Sequence, residues 1–312
     1  MKHILGFLLA VVLVVFSTFS SARELTVGTK YRNSITLDYV SRHIIPLPPG
    51  EWELFHTWKK SNNVNDQFQN IVLIQVEKQS ITHLIGIVIN EDISSYGWYR
   101  SEWCDRDDFH FSKVYENYDV GNQDCYIVNH VPVNFRGSKL EEDQELGDKL
   151  LNRGIAWAKH HLTVYFRFAD ASERLTINYH FNPAVYGFKN FPRSSWEGSP
   201  WHPDSITTDA KRVEFVNSVK EWAEIAHAKV RKGWNDDDAA AAGLPSLSYK
   251  FKGSDLNQTP TEKLRKKVSP TQRHPRQSPS NMPLDKAEKK CAAIGFTKGT
   301  EKYGDCVMKL LN

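Results

Sequence analysis

Strict alternation of apolar and polar residues dominates the middle of the chain. Residues 162–168 and 174–181 alternate without interruption, and five residues separate the two segments. A period of two residues is typical of a strand with one buried face, and the short connection is typical of a hairpin. Further segments with the apolar, β-branched composition of strands are 51–58, 68–77, 81–90 and 125–133.

Two later segments change to a helical period. Apolar residues three to five apart predict a first helix over residues 142–161, with His160 and His161 at its C-terminus, where positive charge is favourable. A second apolar stripe predicts a long helix over residues 208–232. Strands joined by short loops, with two helices late in the order, predict an α+β fold with a mainly antiparallel sheet.

Composition divides the chain into a folded domain and a tail. The 312 residues are 40% hydrophobic and 25% charged, with a formal net charge of +3, which excludes an intrinsically disordered protein and a coiled coil. All nine tryptophans precede residue 235, so residues 23–234 are the predicted domain. The proline-, serine- and lysine-rich residues 235–283 predict a flexible basic linker. We interpret its basic residues as a solvated charge run, and the alternative is that they bind an anionic surface. Nothing in the sequence predicts specific nucleic-acid binding.

Residues 1–22 have the pattern of a secretory signal peptide. Lys2 precedes the apolar run 4–16, and small residues at 20–22 allow cleavage after Ala22. The run is shorter than the roughly 20 residues that cross a bilayer. We therefore expect a periplasmic or secreted protein with no transmembrane segment after cleavage.

The four cysteines fit an oxidising compartment. Local closure favours Cys104 with Cys125 and Cys291 with Cys306, because any other pairing joins segments more than 150 residues apart. Zinc binding is the competing interpretation, but neither pair has the C-x-x-C spacing typical of a zinc site. The sequence predicts two disulfides, no metal and no cofactor.

Residues 284–312 predict a separate helical hairpin. Asp285 begins a capping box, and Gly295 is placed to end the first helix. Two short helices bury too little surface to fold alone, so the Cys291–Cys306 disulfide is expected to hold them together. We expect this hairpin to dock on a protein or envelope partner.

Two sets of motifs resemble bacterial sequences. The pattern Cys291-x3-Gly295-Phe296-x2-Gly299-Thr300-x5-Cys306 resembles a module at the C-termini of otherwise unrelated bacterial proteins, especially aquatic ones. The segments LPPGEW at 47–52, DCYIVNH at 124–130 and SPWH at 199–202 resemble an uncharacterised family of exported bacterial proteins. The second resemblance spans most of residues 40–234. Both imply export and modular organisation, and neither implies an activity.

Histidines and loop tryptophans are the candidate functional residues. Trp196, Trp201 and His202 share a loop containing proline and serine, which suits either an aromatic platform for a sugar or peptide or a lid over the core. His130 and His180 lie on predicted strands and face either a cleft or solvent. The sequence lacks the nucleophile-elbow, zincin, P-loop and dinucleotide motifs.

These residues leave two classes of function open. We expect a non-enzymatic binding or structural protein. The alternative is an exported hydrolase-type enzyme that uses His130, His180 or His202 as acid or base. Convergence of these histidines in one pocket, with shifted pKa values, would favour the enzyme, whereas scatter would favour binding.

Overall fold

The computed structural model describes residues 25–192, 195–249 and 289. Apart from Lys289, these residues belong to one compact unit. The expectations for the signal peptide, for the linker from residue 250 onward and for the Cys291–Cys306 hairpin lie outside the described residues.

The described residues contain ten strands, four helices and three 3-10 turns. The strands are β1 Lys30–Tyr31, β2 Ser34–Asp38, β3 Arg42–Pro46, β4 Trp52–Ser61, β5 Gln67–Glu77, β6 Ser80–Asn90, β7 Phe111–Asn117, β8 Gln123–Pro132, β9 His160–Ala169 and β10 Arg174–Phe181. The helices are α1 Glu102–Asp105, α2 Glu141–Asn152, α3 Pro203–Ile206 and α4 Ala210–Trp234. The 3-10 turns are Phe135–Gly137, Pro183–Tyr186 and Asp238–Ala242.

Eight strands form one antiparallel sheet in the order β1-β4-β5-β6-β10-β9-β8-β7. Strands β2 and β3 pair separately as a hairpin. The register shifts at three bulges, between Leu54 and His56 in β4, between Gln75 and Val76 in β5, and between Val114 and Glu116 in β7. The prediction of a mainly antiparallel sheet is confirmed.

Helix α4 packs on one face of this sheet, which we call the α4 face. Alternate residues of β9 and β10 are fully buried there, as the period of two requires. Helix α4 begins where the Asp209 side chain accepts a hydrogen bond from the backbone of Arg212, at 3.1 Å. Near its end, a Cβ on Gly233 would lie 1.7 Å from the Ile44 carbonyl oxygen, so only glycine lets the helix approach β3 this closely.

Helix α2 packs on the opposite face, which we call the open face. Its Leu146 and Leu150 join a smaller apolar cluster with side chains of β4, β5 and β6. The predicted helix over 142–161 is wrong in its second half, because α2 ends at Asn152 and Gly154 turns the chain with a φ of +66°.

His160 and His161 belong to strand β9. They therefore do not end a helix, contrary to the expectation from the sequence.

The folded domain continues beyond Trp234 to residue 249, into the segment whose composition predicts a linker. The indole of Trp222 donates to the Pro245 carbonyl oxygen at 2.8 Å, and Leu244 is buried. The ring of Tyr249 lies 4.9 Å from that of Phe215. Burial of these side chains against α4 makes residues 235–249 part of the domain.

The predicted Cys104–Cys125 disulfide is present, with its Cα atoms 5.9 Å apart. It joins the single turn of α1 to β8, and both cysteines are buried. The disulfide thereby fixes the segment that connects β6 to β8. No helix among the described residues is long and apolar enough to cross a membrane.

Candidate functional site

Exposed apolar side chains are concentrated in the segment between β6 and β8. Eight of the fifteen exposed large apolar residues among the described residues lie within positions 93–120. The aromatic members are Tyr96, Tyr99, Trp103, Tyr115 and Tyr118. Clustered exposed aromatic residues are typical of an interaction surface, because their burial by a partner is favourable.

A run of neighbouring rings crosses this region, and we call it the aromatic strip: Tyr165, Trp103, Phe109, Trp196 and His130. Successive ring centroids lie 6.1, 5.5, 6.5 and 5.1 Å apart. Three of these four contacts are stacked and one is edge-on. Such spacings stabilise aromatic pairs beyond their burial alone.

Different elements supply the rings of the aromatic strip. Tyr165 lies on β9 and faces the open face, because its neighbours Val164 and Phe166 belong to the core beneath α4. His130 lies opposite Leu162, whose side chain belongs to the same core. The strip therefore passes from the open face to the α4 face.

Arg106 lies over the middle of the strip. Its guanidinium carbon is 4.3 Å from the centroid of Phe109, 5.4 Å from that of Trp103 and 5.6 Å from that of Trp196. Two hydrogen bonds of 2.8 and 2.6 Å join the guanidinium to Asp108, whose pKa they lower. The pair is charge-compensated and holds the loop before β7 against the rings.

Two histidines contact Trp196, and a third contacts one of them. His130 stacks on it, the ring of His202 meets it edge-on at 4.5 Å, and His110 lies 5.6 Å from His130. Burial lowers the pKa of His130 to about 4 and that of His110 to about 3. Both imidazoles are therefore neutral near pH 7.

Hydrogen bonds fix two of these histidines in structural roles. His130 is fully buried, and its Nε2–H donates to the Trp196 carbonyl oxygen at 2.9 Å. The Nδ1 of His202 accepts the backbone N–H of Asp204 at 3.2 Å and caps α3. No carboxylate among the described residues forms a hydrogen bond to the ring of His130 or His110.

Three of the five residues proposed from the sequence lie together, and two do not. His130, Trp196 and His202 share the cluster just described. Trp201 is buried in the core, with its ring 5.0 Å from Phe188. His180 lies on the open face.

A second pair of histidines lies on the open face, away from the aromatic strip. The rings of His180 and His161 are 5.8 Å apart. His161 is fully buried, and neither of its ring nitrogens has a hydrogen-bond partner among the described residues. Burial lowers the pKa of His180 to about 4 and that of His161 well below its usual value.

Sequence reasoning missed Trp103, Phe109 and His110. A signal was present, since Trp103 adjoins a disulfide cysteine and the stretch 96–118 is rich in aromatic residues. The sequence gives no sign, however, that this segment folds beside Tyr165 and Trp196. Among the described residues, no group of three or more His, Cys, Asp or Glu side chains is arranged to hold a metal ion.

A buried ion cluster ties α4 to the sheet on the α4 face. The Nε2 of His227 lies 2.6 Å from an Asp124 carboxylate oxygen, and Arg231 lies 2.6 Å from the other oxygen. The ring of Tyr115 stacks on His227 at 4.5 Å. Because aromatic rings enclose His227, the cluster is a packing feature of the domain rather than an open site.

Comparison with known proteins found no match for this chain. No protein-family model, no curated protein and no solved structure matches it. The geometry described above is thus the basis for a functional conclusion.

Proposed function

We propose that this chain is an exported, non-enzymatic binding protein whose ligand packs on the aromatic strip. The observation that carries the proposal is Trp103, which is 50% exposed although its ring stacks with Phe109 and Tyr165. The neighbouring Cys104–Cys125 disulfide holds Trp103 on α1 in place before any ligand arrives. A rigid exposed indole loses little conformational freedom on binding and suits the flat apolar side of a sugar ring.

The histidines support binding over hydrolysis. The Nε2 of His130 is engaged by a backbone carbonyl, and the ring is fully buried. His180 faces the opposite side of the sheet from His130, so the two do not act on one substrate. His202 caps a helix through Nδ1. An acid–base pair needs a titratable group within reach of the reacting atoms, and the engaged nitrogens of His130 and His202 argue against that role.

Export and the tail complete the proposal. Residues 1–22 act as a cleaved signal peptide, and the disulfide between two buried cysteines supports an oxidising compartment. The domain is of the α+β class, and a flexible basic linker ending at residue 283 connects it to a disulfide-stapled helical hairpin. That hairpin docks on a protein or envelope component. The resemblances to exported bacterial sequences support this organisation.

Affinity electrophoresis tests the binding role. The protein is expressed with its signal in a bacterium and recovered after export, when its mass should correspond to an N-terminus at Arg23 and oxidised cysteines. It is then run through native gels containing soluble polysaccharides, both neutral and acidic. We expect retardation by at least one polysaccharide, and we expect Trp103→Ala to abolish it because the exposed indole provides the contact.

Leu151→Ala is the matched control, since Leu151 on α2 is 46% exposed and lies outside the strip. This variant should migrate like the parent protein. Failure of every polysaccharide to retard the parent, or equal retardation of Trp103→Ala, would contradict the proposal. Release of reducing sugar ends during incubation would instead favour the hydrolase alternative.

A further inference from the structure

Two arginines differ from all others in the part of the chain that the structure describes. Ten arginines are described, and eight lie within 4.0 Å of an Asp or Glu oxygen. The exceptions are Arg167 on β9 and Arg174 on β10, which have no such partner among the described residues. We call them the arginine pair. Two neighbouring guanidinium groups with no ion-paired carboxylate repel each other, and an anion between them relieves that repulsion.

The arginine pair lies on the open face of the sheet. Arg167 is opposite Thr176, and Arg174 is two residues along β10, so the two side chains are diagonal neighbours on the same face. The Nε of Arg167 donates to the Gln123 side chain, which in turn donates to the Tyr99 carbonyl oxygen at 2.6 Å. This chain of contacts joins the arginine pair to the segment that carries the exposed aromatic residues.

Arg174 is positioned by stacking rather than by an ion pair. Its guanidinium carbon lies 4.4 Å from the centroid of Phe68 and 4.8 Å from that of Trp98. Its Nε has no hydrogen-bond partner among the described residues. Burial, followed by the charge of Arg167, lowers the pKa of Arg174 to about 10 against weaker opposing influences of Tyr165 and Asp66, so the group is still charged at pH 7. A positive charge is thus held in a semi-apolar setting, where an anion interacts with it more strongly than in water.

The sheet beside the arginine pair has room for a ligand. Gly86, Asn178 and Tyr165 face one another across β6, β10 and β9, and all three are partly exposed. A Cβ added to Gly86 would meet only the Cβ of Asn178, at 4.0 Å, so the absence of a side chain there leaves space on the sheet. The amide of Asn178 forms no hydrogen bond to another described residue and is available to hydroxyl groups.

We infer that this face binds an acidic saccharide, with Arg167 and Arg174 taking a sugar carboxylate while the sugar ring packs toward Tyr165. The guanidinium groups match a planar carboxylate, Asn178 matches hydroxyls, and Tyr165 is itself the first ring of the aromatic strip. The inference rests on the proposed function and names its ligand class: the polymer on the aromatic strip carries uronic acids.

Calorimetric titration of the mature protein tests this ligand class. The probe is a trimer of galacturonic acid, and its matched partner is the same trimer after chemical reduction of the carboxyl groups to alcohols. We expect the acidic trimer to bind at least tenfold more tightly than the reduced one. Raising the salt concentration should weaken binding of the acidic trimer but not of the reduced one, because only the acidic trimer is held by ionic attraction.

Three variants locate the site. Arg167→Gln should weaken binding of the acidic trimer at least tenfold. Arg136→Gln is the matched control, because it removes the same charge from an arginine that is paired with Asp148 and lies outside β9 and β10. Its binding of the trimer should be unchanged. Gly86→Val should also weaken binding at least tenfold, because it fills the space beside Asn178. Valine suits a strand, so this variant should retain the circular dichroism and unfolding midpoint of the parent.

The outcomes separate this inference from the proposed function. Equal binding of the two trimers, unchanged binding by Arg167→Gln, or competition by inorganic sulfate at the affinity of the trimer would overturn the acidic-saccharide assignment. So would failure of the acidic trimer to bind while another polysaccharide is still retained through Trp103. Each of these results leaves the proposed function standing. Failure of every polysaccharide to be retained overturns the proposed function, and this inference with it.

Discussion

Single residues on the α4 face join helix α4 to the sheet through charge as well as apolar packing. Asp124 on β8 is buried and faces His227 and Arg231 of α4. A buried carboxylate is stable only while its partners remain, because its hydration has been lost. Its role is to fix where α4 lies on β8, since the apolar side chains around it permit small shifts.

Loss of this charge should therefore destabilise the domain. Asp124→Asn keeps the shape but leaves Arg231 without its buried counter-ion, and we expect the free energy of unfolding to fall by about 3 kcal/mol. Urea unfolding followed by tryptophan fluorescence gives the value. Asp119→Asn, at a carboxylate that is 96% exposed, should change the value by less than about 0.5 kcal/mol. Equal effects of the two substitutions would show that the buried cluster contributes nothing specific.

Among the elements, the last stretch of the domain is the least expected. Residues 235–249 have the composition of a linker, yet Lys229 donates to the Gly243 carbonyl oxygen at 2.6 Å and the Leu244 N–H donates to that of Leu47 at 2.9 Å. The segment thus crosses from α4 to the end of β3. It closes the apolar core on the side of the β2–β3 hairpin.

Truncation should reveal this role. A chain ending at Trp234 exposes the surface that Leu244 and Tyr249 cover, so we expect its free energy of unfolding to be lower by about 3 kcal/mol or more. A chain ending at residue 249 should unfold with the same midpoint as the full mature protein. Thermal unfolding followed by circular dichroism compares the two. Identical midpoints for both truncated chains would show that residues 235–249 belong to the linker and not to the domain.

Elements with a clean period are predictable from the sequence, and irregular ones are not. Strands β9 and β10 alternate strictly because one face contacts α4 and the other is partly polar. Strand β3 shows no period, since Ile44 and Ile45 are both buried between the sheet and neighbouring elements, and the pattern therefore predicts no strand there. The predicted helix extends beyond α2 because Ile155, in the loop after it, happens to continue the apolar spacing.

The sequence predicts which residue types form the candidate site but not how they are arranged in space. A loop with Trp196 and His202 is recognisable from residue types, and so is the disulfide that fixes Trp103. Arg167 has no such signal, because it is simply a polar position on an alternating strand. Arg167 stands out because no carboxylate among the described residues pairs with it. Only the tertiary structure reveals that feature.

At the scale of the whole molecule, buried neutral histidines make stability depend on pH. Burial lowers the pKa of His83, His130 and His180 to about 4 and that of His110 to about 3, and it also lowers the pKa of His161. In the unfolded chain these groups titrate near 6.5. Between those values the unfolded state binds more protons than the folded state, so stability decreases as the pH falls.

We therefore expect acid sensitivity that begins well above the range of carboxylate titration. The urea midpoint should be constant above about pH 7 and should fall continuously from about pH 6.5 to pH 4, since a tenfold change in the proton affinity of one histidine corresponds to about 1.4 kcal/mol. His161→Leu removes a buried imidazole that has no hydrogen-bond partner among the described residues, and it should flatten the decline. A midpoint that stays constant down to pH 5 would contradict this linkage.

The bulges in β4 and β7 bear on how copies of this protein would meet one another. An open sheet exposes unpaired backbone groups along its outer strands, and these can recruit a strand from a second molecule. Here β1 covers β4 only at Trp52 and Glu53, while Lys59 and Lys60 extend from the remainder beyond the Leu54/His56 bulge. On the other side, the Val114/Glu116 bulge interrupts β7. Charged and interrupted outer strands of this kind disfavour edge-to-edge pairing, so we expect concentrated solutions of the protein to form no fibrils.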